Sequence, residues 1–140
     1  MKLEFLVSNV FLIRAAAVGH GGLIVAGLLM PRVTGLWDQV RSLDPFARGL
    51  FRLYYAFIAL CLVGFGGGTG LLAEELAEGT LLARAVCGFL SVFWLLRLAG
   101  AIFLLDVRPY LSSPARRLGY HCLNVVFATF PLLYGWLALR

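Results

Sequence analysis

Leu81–Leu105, LLARAVCGFLSVFWLLRLAGAIFLL, is a run of twenty-five residues that is apolar except for Arg84, Ser91 and Arg97. At 1.5 Å of rise per residue, about 20 helical residues cross the ~30 Å hydrocarbon layer of a bilayer. The run therefore reads as a membrane-spanning helix that carries a guanidinium, Arg97, into the membrane.

Composition places the rest of the chain in the same solvent. Apolar residues make up 61% of the 140 and charged residues only 14%, with a mean hydropathy of +0.91. Soluble domains have roughly 45–50% apolar and about 25% charged residues. The longest polar stretch, Pro31–Arg52, has 22 residues, too few for a water-soluble domain. Net charge is +5 and eleven of the twelve basic residues are Arg. These Arg cluster at the ends of apolar segments, where anionic lipid headgroups are a nearer partner than nucleic acid. Cys61, Cys87 and Cys122 fall one each on three apolar segments with no C-x-x-C spacing, and read as buried small apolar residues.

Three further spans follow the same logic. Phe5–Met30 has Lys2 before it and Ala15-Ala16-Ala17 within it, as a signal peptide would. Arg14 interrupts that run and the apolar sequence continues to Met30, so a retained span is expected, ended by Pro31. Span two is Leu53–Ala73, span three is 81–105, and span four is Leu118–Leu139, with Pro131 expected to kink it. The fold class is all-α: four transmembrane helices in an up-down bundle, one domain over 1–140. In the first loop, Val33, Leu36, Trp37, Val40 and Leu43 recur at helical spacing opposite Asp38, Gln39 and Arg41, predicting a short interfacial helix anchored by Trp37. Asp44-Pro45 and Ser113-Pro114 each read as an N-cap with a first-turn proline, and Gly79-Thr80 as a C-cap followed by an N-cap.

Orientation follows from the basic residues. Loops one and three carry Arg32, Arg41, Arg48, Arg52, Arg108, Arg116 and Arg117, against Lys2, Arg84 and Arg140 on the other side. That asymmetry puts those loops in the cytoplasm and both termini on the non-cytoplasmic side.

Span two holds Gly64, Gly66, Gly67, Gly68 and Gly70. In a bilayer, Gly64-x-x-x-Gly68 and Gly66-x-x-x-Gly70 permit close backbone approach, or a local unwinding that neighbours must satisfy. Gly19, Gly21, Gly22 and Ala26 offer a matching smooth surface on span one. A tight contact of spans one and two, or a ligand groove between them, is expected.

Polar groups at membrane depth are the candidates for function, because a central charge costs ~2.5–3.5 kcal/mol on insertion scales. Counted from the cytoplasmic ends at 1.5 Å per residue, Arg97 lies ~14 Å deep, His20 about 15 Å and His121 ~5 Å, while Arg14 sits about 24 Å from that boundary. Asp106 is half-way round the helix from Arg97, so the guanidinium has no carboxylate at its level. It can snorkel, bind carbonyls, or lie over Phe93 or Trp94. Alternatively it meets a lipid phosphate, a quinone or carboxylate ligand, or an acid of a partner subunit. His121, Asn124, Ala128 and Gly135 share one face of span four, expected to turn inward. His20 and His121 also raise haem or chlorophyll ligation, although their depths differ by ~10 Å in this register. No metal-ligand set, H-E-x-x-H, phosphate loop or G-x-S-x-G is present. The Glu74, Glu75, Glu78 turn reads as a solvated acidic surface.

With its four spans and the segment LIRAAAVGHGG in the first, the chain resembles the small four-span bacterial membrane proteins, among them the DoxX-like family. The resemblance implies a four-helix bundle in a bacterial inner membrane and assigns no residue roles.

Two functional readings follow. The first is a non-enzymatic accessory or scaffold subunit of a larger inner-membrane complex, packing against lipids and against partner helices or further copies of itself. The second is a protein that binds a lipophilic ligand (a quinone, lipid or tetrapyrrole) and is redox-linked. An enzyme acting on a lipophilic substrate has only the histidines in its favour.

Overall fold

The computed structural model describes residues 2–140, although not the side chains of positions 2, 3 and 5. The expectation of an all-α chain with four membrane-length helices holds. The helices are α1 (Lys2–Val33), α2 (Leu36–Arg41), α3 (Pro45–Leu71), α4 (Ala73–Glu78), α5 (Leu81–Leu104) and α6 (Pro114–Leu139), with a 3₁₀ turn at Arg108–Tyr110. Four of them, α1, α3, α5 and α6, are long and apolar enough to cross a membrane, which marks an integral membrane protein. Large apolar side chains lie on the outside: Phe11, Val18, Phe57, Leu60, Phe103 and Leu132 are all exposed.

The chain packs as two compact units. One comprises Met1–Arg14 with Leu72–Arg140 and the other Ala15–Leu71, so the boundary falls inside α1.

Helix ends differ from the sequence reading in instructive ways. Pro31 does not end α1, which runs on to Val33. Proline removes the N–H that would reach Gly27, but the hydroxyl of Tyr55 bonds that carbonyl instead. Termination comes at Gly35, in the left-handed region at φ 69°. Helix α3 starts eight residues before Leu53, capped by Asp44, whose carboxylate accepts from the N–H groups of Phe46 at 3.0 Å and Ala47 at 3.1 Å. Ser113 caps α6 from the Arg116 N–H at 3.3 Å, and Thr80 caps α5 from the Ala83 N–H at 3.2 Å. Gly79 ends α4 at φ 70°.

The buried stripe of α1 is Asn9, Ile13, Ala16, His20 and Leu23, and that of α5 is Ala83, Cys87, Leu90 and Trp94. Steps of four and three are those of knobs packing into holes. Phe130, Tyr134 and Leu137 continue the pattern on α6. Helices α5 and α6 run antiparallel, since their contacts pair Arg84 with Ala138, Ser91 with Pro131 and Arg97 with Phe127. In the other unit α1 and α3 are likewise antiparallel, through Ala17 with Gly70, His20 with Gly66, and Gly27 with Tyr55. Of the cysteines only Cys87 is buried; Cys61 and Cys122 are exposed on α3 and α6, away from those seams.

Candidate functional site

The seam between α5 and α6 is closed at one end and open at the other. From Ala83 to Trp94 its α5 side is buried, and Trp94 packs against Phe130 at 4.9 Å and Phe127 at 5.8 Å between ring centroids. The next position on the same stripe is Arg97, and it is exposed. Its guanidinium lies over the Phe127 ring, 4.9 Å from the centroid, its one contact of this kind among the described residues. The cation–π partner thus comes from α6 rather than from Phe93 or Trp94 on its own helix. Trp94 is committed to the seam, while Phe127 lies at the point where the seam opens. Counted from Leu104, Arg97 is seven residues from the end of α5, roughly 10 Å.

Beyond Arg97 the seam widens into a cleft of about 400 Å³ lined by Ile102–Arg108 and Tyr120. Asp106 accepts from the Arg108 backbone N–H at 3.1 Å, from Nε at 3.0 Å and from Nη2 at 3.4 Å. Those hydrogen bonds hold the Asp106 carboxyl below its ordinary range and raise the Arg108 guanidinium. Arg116 and Arg117 follow in the first turns of α6.

His121 does not turn inward: it is exposed, 5.6 Å from the neighbouring Tyr120 ring, whereas Asn124 is half-buried. The bulky residues Phe127, Phe130, Tyr134 and Leu137 decide which face of α6 meets α5, and His121 lies opposite Phe130 at 100° per residue. Gly135, expected on the same face as His121, does approach α5: a Cβ there would lie 3.0 Å from Ser91 Oγ.

In the other unit His20 is fully buried, and its Nδ1–H donates to the Ala16 carbonyl at 2.8 Å, which fixes the tautomer. Gly66 packs directly on it, since a Cβ at Gly66 would come within 2.8 Å of the His20 Cβ. Gly70 meets the Ala17 methyl at 3.3 Å on the same basis. Gly64, Gly68 and Gly22 face open space, as do Gly21 and Gly67, so α1 meets the glycines of α3 through Ala17 and His20 rather than through Gly21 or Gly22. The glycine stretch stays helical with no unwinding. Trp37 packs edge-on against Tyr55 at 5.4 Å and Phe51 at 6.3 Å, so α2 is stapled to α3 by aromatic rings.

Several polar contacts join residues too far apart in sequence to be read from spacing. Arg14 bonds Glu74 at 3.1 Å across sixty positions, drawing one member of the acidic turn into an exposed ion pair. Arg140 donates to the Ala77 carbonyl at 3.0 Å and stacks over Trp136 at 5.0 Å. Arg84 Nε donates to the Ala138 carbonyl at 2.9 Å. Asn9 is buried, and its Nδ2 has no hydrogen-bond partner among the described residues. Its spacing to Ile13, Ala16 and His20 was the available signal. No group of three or more His, Cys, Asp or Glu side chains able to hold a metal ion occurs among the described residues.

No protein-family model, curated protein or solved structure matches the chain.

Proposed function

We propose that this chain is a non-catalytic accessory subunit of a larger complex in a bacterial inner membrane, with loops one and three in the cytoplasm and both termini on the opposite side. The supporting observation is Arg97. A guanidinium on an exposed helix face, about 10 Å inside the end of α5, is expensive against hydrocarbon and is offset here by a single aromatic face. A carboxylate from a partner helix seated on the open end of the α5–α6 seam supplies the missing charge. Broad apolar surfaces on α3 and α5 give such a helix a place to pack.

Extraction in mild detergent tests this. The native complex then migrates well above the 15.3 kDa chain, and Arg97→Leu releases the chain to the size of the isolated subunit. A monodisperse monomer from wild-type membranes, or an Arg97→Leu complex of undiminished size, overturns the reading.

A further inference from the structure

We infer that the cleft at the loop end of α5 and α6 binds one anionic phospholipid, with its phosphate against Arg108 and Tyr120 and its acyl chains along Phe103 and Leu104. The inference does not depend on Arg97 or on a partner subunit. The walls of the cleft follow the order of a lipid's own chemistry. Ile102, Phe103 and Leu104 are apolar and strongly exposed, the last two at 82%, and together with Leu105 they end α5. Asp106, Val107 and Arg108 come next, along an open groove of about 400 Å³ that Tyr120 also lines. Hydrocarbon-facing residues thus give way to a guanidinium within four positions of the helix end.

Charge favours an anion there. The segment 106–117 holds Arg108, Arg116 and Arg117 against the single carboxylate of Asp106. Asp106 engages Nε and Nη2 of Arg108 in an exposed ion pair and leaves the other N–H groups of the guanidinium for a phosphate. Arg117 is oriented through Nε to the Leu111 carbonyl at 3.1 Å, and Arg116 through Nη1 to Ser112 Oγ at 3.1 Å. Tyr120 lines the cleft, and its hydroxyl makes no hydrogen bond among the described residues. Juxtamembrane arginines are drawn to anionic headgroups in any case. What this cleft adds is an apolar wall contiguous with the Arg108 guanidinium.

The full chain is reconstituted in phosphatidylcholine nanodiscs carrying a minor fraction of phosphatidylglycerol, extracted gently, and its retained lipids are counted by native mass spectrometry. Phosphatidylglycerol is expected to be retained in preference to phosphatidylcholine. Arg108→Gln should reduce that preference about tenfold, the loss of one charge-assisted contact. Tyr120→Phe should reduce it less, Arg108→Lys should restore part of it, and Arg41→Gln in the first loop should leave it unchanged. Circular dichroism of each variant separates loss of lipid from loss of fold. Equal retention of the two lipids, or unchanged preference in a folded Arg108→Gln variant, overturns the inference. So does displacement of the phosphatidylglycerol by inorganic phosphate alone, which would assign the cleft to the free anion.

Discussion

The Tyr55 hydroxyl donates a 2.6 Å hydrogen bond to the carbonyl of Gly27, the acceptor that Pro31 leaves without its helical N–H. A buried carbonyl without a donor in a bilayer costs far more than one facing water, so α1 can carry a proline only where something answers it. Tyr55→Phe should destabilise the protein by about 0.5–1.5 kcal/mol. In a Pro31→Ala background the helix regains its own donor, and the same substitution should cost less. Thermal unfolding of the four members of this cycle in detergent checks it; equal losses in both backgrounds would separate the hydroxyl from the proline.

Gly66 and Gly64 lie two positions apart on one helix yet face different surroundings. A Cβ at Gly66 would reach 2.8 Å from the His20 Cβ, whereas one at Gly64 meets nothing within 4 Å. Gly66→Ala should therefore force α1 and α3 apart at a cost of about 1–3 kcal/mol. Gly64→Ala should be neutral or stabilising by up to ~1 kcal/mol, since it improves helix propensity without a clash. Unfolding midpoints of the two variants, measured side by side, decide between this and a uniform glycine face.

That contrast also shows where sequence reasoning ran out. Long apolar runs made the four spans legible, and the pairs Asp44-Pro45 and Ser113-Pro114 marked helix starts, because caps and propline geometry are local. The apolar span of α3 begins only at Leu53, after Arg48 and Arg52, yet the helix starts at the Asp44-Pro45 cap, because helical hydrogen bonding is indifferent to side-chain polarity on an exposed face. Which glycines touch a neighbour was not legible, since nearly every face of the 64–70 segment offers one. On α6 the polarity of His121 is no guide to the inward face, because the aromatic volume of Phe127, Phe130 and Tyr134 sets the rotation and leaves His121 exposed, although Gly135 still meets α5. The Arg14–Glu74 pair, sixty residues apart, left no local signal.

Asp106 gives a pH dependence with a definite sign. Its carboxyl is held below the ordinary value chiefly by the side-chain hydrogen bond from Arg108. A folded-state value lower than the unfolded one contributes stability above the unfolded value, lost as pH falls through the folded one. Both side chains are largely exposed, so the effect is small. The wild-type unfolding midpoint should therefore fall slightly more steeply than that of Asp106→Asn as pH is lowered through and beneath the ordinary carboxylate range. Parallel curves would mean that the pair does not constrain the loop.

Ser91 and Gly135 make a close α5–α6 approach away from the aromatic cluster. Ser91 Oγ donates to the Pro131 carbonyl at 2.8 Å, and a Cβ at Gly135 would stand 3.0 Å from that oxygen. Gly135→Ala must therefore turn the serine hydroxyl away, losing both the hydrogen bond and the fit, at about 1–2 kcal/mol. Ser91→Ala alone should cost about 0.6 kcal/mol, the average for an interhelical hydrogen bond in a membrane protein. Because the serine oxygen is the obstacle, the double variant Ser91→Ala with Gly135→Ala should be more stable than Gly135→Ala alone. That non-additivity is the signature of direct contact. Strictly additive losses across the cycle would place the two residues out of touch and contradict an α5–α6 register that sets Ser91 against Pro131 and Gly135.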